Sequence, residues 1–125
     1  MNLQRKNYAS LDEPIGPYVH AVRHENTLYL SGLTAFGTSA QFDPIELQTK
    51  AIFEQIRSIC QAENTGLENL IKITAFVTDL SRMSELRQAL FEVYGEHLPA
   101  SSLIHVAGLF SPELKIEIEA VVAVA

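Results

Sequence analysis

The chain has 125 residues, 9 Lys+Arg against 15 Asp+Glu, and a formal net charge of −6. That length holds one domain, taken as residues 1–125, and 47% hydrophobic against 19% charged residues excludes a disordered or collagen-like chain. A single cysteine, Cys60, excludes an internal disulfide, and scattered cations (only Arg5 and Lys6 are adjacent) argue against a nucleic-acid partner, which needs clustered charge.

Residues 1–13 are polar and without period, an arm with room for one short strand. Pro14-Ile15-Gly16-Pro17 signals a turn. Strands are expected over Tyr18–Arg23 and Thr27–Leu33, joined by the polar hinge His24-Glu25-Asn26, which suits a hairpin. Thr34–Phe42 reads as a loop. The first helix follows, with Asp43 as N-cap, Pro44 at its first position and Glu46 placed as in a capping box. Its apolar stripe is Ile45, Ile52, Ile56, Ile59 and Cys60, and it should stop before Gly66.

Ile71–Thr78 alternates as a strand, with Ile71, Ile73, Ala75 and Val77 on one face. Asp79 or Ser81 can cap a second helix striped by Met83, Leu86, Leu90, Val93 and Tyr94 and ended near Gly95. Ser102–Ala107 and Lys115–Val124 read as strands, with a loop at Gly108–Leu114 between them. The order is thus β-β-α-β-α-β-β, an α+β domain in which two helices can cover only one face of the sheet. In the last strand Ile116, Ile118, Ala120, Val122 and Val124 form one apolar face, and Glu117, Glu119, Val121 and Ala123 the other. That second face is half apolar and has no helix left to cover it, which suggests burial against other subunits.

Templates for chemistry mostly fail. No G-x-S-x-G is present, Cys60 falls on an apolar helix stripe, and no P-loop or G-x-G-x-x-G occurs. His20 and His24 straddle a strand and its turn, about 13 Å apart by strand rise, so no metal site is expected. The leading MNLQRKNYAS has no apolar run and no segment approaches ~18 apolar residues, so a cytoplasmic protein without a membrane partner is expected. What remains is Glu117 and Glu119, an i, i+2 carboxylate pair. The pair is either a solvated polar face or a partly buried site where desolvation raises a carboxylate pKa and suits it to moving protons.

Several local patterns, in order from about Pro14 to Ala125, resemble the RidA/YjgF family, also labelled endoribonuclease L-PSP. Ile15-Gly16-Pro17-Tyr18 with Ala21-Val22 is similar to its opening motif, and Leu30-Ser31-Gly32 to a strand end. Gln48-Thr49 is similar to a helix start, Pro99-Ala100-x-Ser102 to "P-A-R-S", and Lys115-Ile116-Glu117-Ile118-Glu119-Ala120 to its closing strand. The resemblance implies a chorismate-mutase-like fold, with a mixed six-stranded sheet carrying two helices on one face. It also implies a homotrimer with small-molecule clefts between subunits, and hydrolytic deamination of reactive 2-imino acids without a cofactor. It carries Glu117 over as the water-directing catalytic residue and Tyr18, Ser31 and Gly32 as pocket residues.

The arginine that grips the substrate carboxylate in that family does not carry over, because Ser101 stands in its place. A guanidinium offers two parallel charge-assisted hydrogen bonds and a serine hydroxyl one neutral donor. The loss costs about 2–5 kcal/mol, a factor of roughly 30 to several thousand in binding. Three functions follow: an imine or enamine hydrolase with an altered substrate met by Ser101, a non-catalytic trimer that binds a small metabolite, and, remotely, an endoribonuclease. Arg87 on the second helix is a candidate replacement cation.

Overall fold

The computed structural model describes residues 1–125. Its elements are β1 (Leu3–Lys6), β2 (Ala21–His24), β3 (Thr27–Leu33), α1 (Ile45–Ala62), β4 (Leu70–Val77), α2 (Met83–Tyr94), β5 (Ala100–His105) and β6 (Ile116–Ala123). The polar arm supplies the sixth strand. The strands form one mixed sheet in the order β1-β2-β3-β6-β4-β5, with every pairing antiparallel except β4 with β5. This is the α+β fold with two helices expected above.

The core lies between α1 and the central strands. Ile52, Phe53, Ile56, Ile59 and Cys60 of α1 meet Ile73, Ala75 and Val77 of β4 and Ile116, Ile118, Ala120 and Val122 of β6, all buried. Each large side chain removed from water there contributes about 1.5–3 kcal/mol. The α2 helix packs beside α1 and buries chiefly Leu86 and Ala89, while Phe53 and Tyr94 meet edge to face at 5.5 Å. Met83, Leu90, Val93 and Tyr94 are therefore only half-buried.

Several local expectations are corrected. Asp43 does not cap α1: Pro44 holds the cap position without a side-chain bond, and Glu46 pairs across to Arg82 instead of closing a capping box. The buried Gln48 carboxamide takes over, donating to the carbonyls of Gln41, Asp43 and Glu113 and accepting the Lys115 amide. The α1 helix does stop before Gly66, at Ala62, and the chain leaves it through Asn64, at φ 58. Neither Asp79 nor Ser81 caps α2; Asp79 accepts both the Ser81 amide and hydroxyl in a turn of its own, and Arg82 holds the cap position. Gly95 does end α2, at φ 61.

Ile71 does not face the helices with Ile73. The β4–β6 register shifts between Leu70 and Lys72, and Ile71 turns out to solvent. β5 begins two residues earlier than expected. It lies at the sheet edge, where all six of its residues are exposed.

A second register shift positions the candidate site residues. Between Leu30↔Ala120 and Leu33↔Ile118, β3 advances three residues against two on β6. The extra residue falls at Ser31-Gly32, and such a bulge breaks the ladder and re-aims nearby side chains.

Candidate active site

Beside that bulge the chain forms a cleft of about 770 Å³, within the ordinary range for a small-molecule site. Tyr18, Ser31, Gly32 and Glu117, taken from the sequence as one group, all line it. Glu117 comes from β6 and lies across Gly32: a Cβ built on Gly32 would sit 2.2 Å from Glu117 Oε2 and 2.8 Å from its Cδ. Only a residue without a side chain lets the carboxylate lie there. Ser31 is fixed from both sides, its hydroxyl donating to the Val19 carbonyl at 2.6 Å and its amide to His20 O at 3.0 Å. Tyr18 is half-exposed at the mouth.

Glu117 is half-buried, and burial first, then repulsion from Glu119, pushes its carboxyl above the usual range. No hydrogen bond or cation offsets the shift. That combination poises a carboxylate to accept and return a proton.

The far wall is the arm, residues 10–15, and its anchors carry no local sequence signal. His20, 6% exposed, accepts the Tyr8 amide at Nδ1 (2.9 Å), and its Nε2–H donates to the Asp12 carbonyl (2.8 Å). These two bonds fix its tautomer and fold the arm over the cleft. Deeper still, Glu63 at the end of α1 accepts from Lys6 Nζ (2.8 Å) and Tyr8 OH (2.7 Å), with Arg23 at 3.9 Å.

Ser101 and Arg87 are elsewhere. Ser101 pairs with Ile73, and Phe76 pairs with Glu117. Paired residues share a sheet face, and faces alternate along a strand. Ser101 therefore projects to the helix side and Glu117 to the open side. Arg87 is exposed on α2, also on the helix side. Within one copy of the chain neither meets Glu117.

The profile of the family described as Endoribonuclease L-PSP matches residues 9–124. The chain belongs to this family, the RidA/YjgF family. A RutC family protein of Pyrococcus horikoshii is 31% identical over 113 residues, covering 87% of this chain and 88% of that one. A 2-iminobutanoate/2-iminopropanoate deaminase of Dermatophagoides farinae is 26% identical, covering 90% and 89%. The crystal structure of RidA from the Antarctic bacterium Psychrobacter superposes with a TM-score of 0.87 at 27% identity, covering 97% of this chain and 99% of that one.

In this RidA/YjgF chain Cys60 is buried in the core, and burial pushes its thiol up to about 11, so it is no nucleophile. No three His, Cys, Asp or Glu side chains gather as metal ligands, and no helix is long and apolar enough to cross a membrane.

The Gly32–Glu117 contact makes a sharp prediction. Gly32→Ala meets only the movable Glu117 side chain, so stability should fall by no more than about 1 kcal/mol. The carboxylate must swing out of place, and any activity that depends on Glu117 should fall at least tenfold. A thermal melt beside a rate measurement checks both; a large loss of stability with activity retained would contradict the contact.

Proposed function

We propose that this RidA/YjgF chain hydrolyses reactive imines or enamines to carbonyl compounds and ammonia, with a substrate range altered by Ser101. The observation that carries this reading is the unpaired, half-buried Glu117 carboxylate, its proton affinity raised, lying across Gly32 in a cleft of small-molecule size. In the proposed reaction Glu117 takes a proton from water as the water oxygen bonds to the imine carbon. The imine nitrogen takes up that proton to give the carbinolamine, whose hydroxyl proton then passes through Glu117 to the nitrogen as the C–N bond breaks, releasing the carbonyl product and ammonia. No cofactor enters this scheme.

The second wall of the working site is proposed to come from another copy. Thr74, Phe76, Glu117, Glu119 and Val121 share the open sheet face, and β5 leaves Leu103 and Ile104 exposed at its edge. A homotrimer that also joins along the exposed β5 edge would bring Ser101, on that edge strand, toward a neighbour's Glu117. Nuclease action fits poorly with a net charge of −6 and with a cleft that four carboxylates line.

The test is imine decay. A carboxylate-free imine made in situ from a simple amine, and 2-iminobutanoate made from its amino acid, are followed with and without protein. Acceleration of the first and a slower effect on the second are expected. No acceleration of either at stoichiometric protein rejects hydrolysis and favours a trimer that only binds a metabolite.

A further inference from the structure

The cleft is rich in acceptors and poor in donors. Asp12, Glu13, Glu117 and Glu119 line it, and none of the four takes part in a salt bridge. Within one copy of the chain, none of the nine Lys and Arg side chains lines it. Most are engaged elsewhere: Lys6 and Arg23 at Glu63, Lys50 at Glu92, Arg57 at Glu54, Arg82 at Glu46 and Lys72 at Ser102.

Four of the uncharged side-chain donors are engaged with backbone carbonyls, an observation independent of the charge count, and the hydroxyls of Tyr18 and Thr34 donate to no protein group. Ser31 donates to Val19 O at 2.6 Å, Thr38 to Ala35 O at 2.7 Å, Gln55 to Thr34 O at 2.8 Å and His20 to Asp12 O at 2.8 Å. A carboxylate entering this space meets repulsion and no free side-chain amide or imidazole donor. A cation meets unpaired carboxylates, and it also meets aromatic faces. Phe36 and Phe110 stand edge to face at 5.2 Å, both half-exposed, with Tyr18 on the same cleft. Cations are attracted to such ring faces.

We propose that the cleft takes a small cationic ligand without a carboxylate, an ammonium or iminium that carries an apolar or aromatic group. This deepens the hydrolase reading, on whose cleft it rests, by naming the charge class of the guest. The chemistry is consistent: an iminium, the N-protonated imine, is the more electrophilic form, and carboxylates around it favour that form. Water adds its oxygen to the iminium carbon, its two protons pass to the nitrogen, and the C–N bond breaks. One iminium and one water thus give one carbonyl compound and one ammonium ion, with charge conserved. The carbonyl product is neutral and loses the attraction that held the substrate.

The test is binding by the full chain of three ligands that share one ring and differ in charge, namely benzylammonium, benzyl alcohol and benzoate, by titration calorimetry or NMR. Benzylammonium should bind roughly tenfold tighter than benzyl alcohol at low salt, and benzoate weaker still. The preference should shrink as salt is added. In an Asp12→Asn, Glu119→Gln double variant the ratio of benzylammonium to benzyl alcohol affinity should fall toward one. Equal affinities, a preference for benzoate, or no binding of benzylammonium would overturn the proposal. The two readings fail separately. Cation preference without imine hydrolysis removes the hydrolase and keeps the cationic guest, whereas rapid hydrolysis of 2-iminobutanoate with a preference for benzoate does the reverse.

Discussion

Replacing Glu117 by Gln is expected to lower imine hydrolysis by roughly 10²–10⁴-fold, the usual worth of a positioned general base, and to raise thermal stability at neutral pH. The second effect follows from the direction of the shift. Burial, and then Glu119, lift the folded-state pKa of Glu117 above its ordinary value of 4.5. A group with a raised folded pKa gives its full stability below the unfolded pKa and loses it as pH rises through the folded one. At pH 7 the ionised carboxylate is therefore a burden on the fold, and glutamine, which has nearly the same shape and no charge, relieves it. The variant's Tm should exceed that of the parent at pH 7–8, and the gap should close as pH falls into the carboxylate range. Thermal melts at a series of pH values, read beside rates, check both halves. Lower stability at neutral pH would mean that Glu117 has a partner after all.

Replacing Glu63 by Ala should cost about 3 kcal/mol of stability, because it strands partly buried charges around an emptied site. Glu63 is 9% exposed and receives Lys6, Tyr8 and, at longer range, Arg23. Burial alone would raise its carboxyl; the hydrogen bonds from Lys6 and Tyr8 and the nearby cations outweigh burial and hold it below the usual range. Its stabilisation is therefore present above pH 4.5 and is lost as pH falls through the lowered value. At neutral pH the variant should melt well below the parent, and the difference should diminish in acid. Hydrogen exchange should place the first loosening in β1 and in residues 7–15. That same segment is the far wall of the cleft, so ligand binding should weaken with it. A variant as stable as the parent at pH 7 would contradict the role given to this cluster.

The residues that can be read from the sequence and those that cannot divide on physical grounds. The apolar stripe of α1 and the alternation of β6 are local patterns, and one buried face imposes each of them, so Ile52, Ile56, Ile118 and Val122 lie where their spacing puts them. Tyr18, Ser31 and Gly32 are legible only as fragments of family motifs, and Glu117 also as half of a carboxylate pair on the last strand; the bulge beside them is a property of strand register, which no local pattern encodes. Register also hides the relation of Ser101 to Glu117. Their opposite faces follow from the pairings Ile73↔Ser101 and Phe76↔Glu117, which depend on how β4 meets two other strands. Glu63 and His20 escape a sequence reading because their partners are distant in the chain: Lys6 lies 57 residues from Glu63, and Tyr8 lies 12 from His20. The helix caps mislead for a related reason. Asp43 has the right residue type, but the Gln48 side chain, bonded to the loop before β6, fixes the start of α1 instead.

The proposed reaction keeps Glu117 as the water-directing carboxylate and, with Ser101, has no guanidinium to grip a substrate carboxylate. The most direct measurement is the ratio of kcat/KM for a carboxylate-free imine to that for 2-iminobutanoate, in the parent and in Ser101→Arg. A ratio above one is expected in the parent. The ratio should fall roughly 30-fold or more in the variant, as a guanidinium restores about 2 kcal/mol or more of carboxylate binding. An unchanged ratio, or a parent that already favours 2-iminobutanoate, would contradict the proposed reaction.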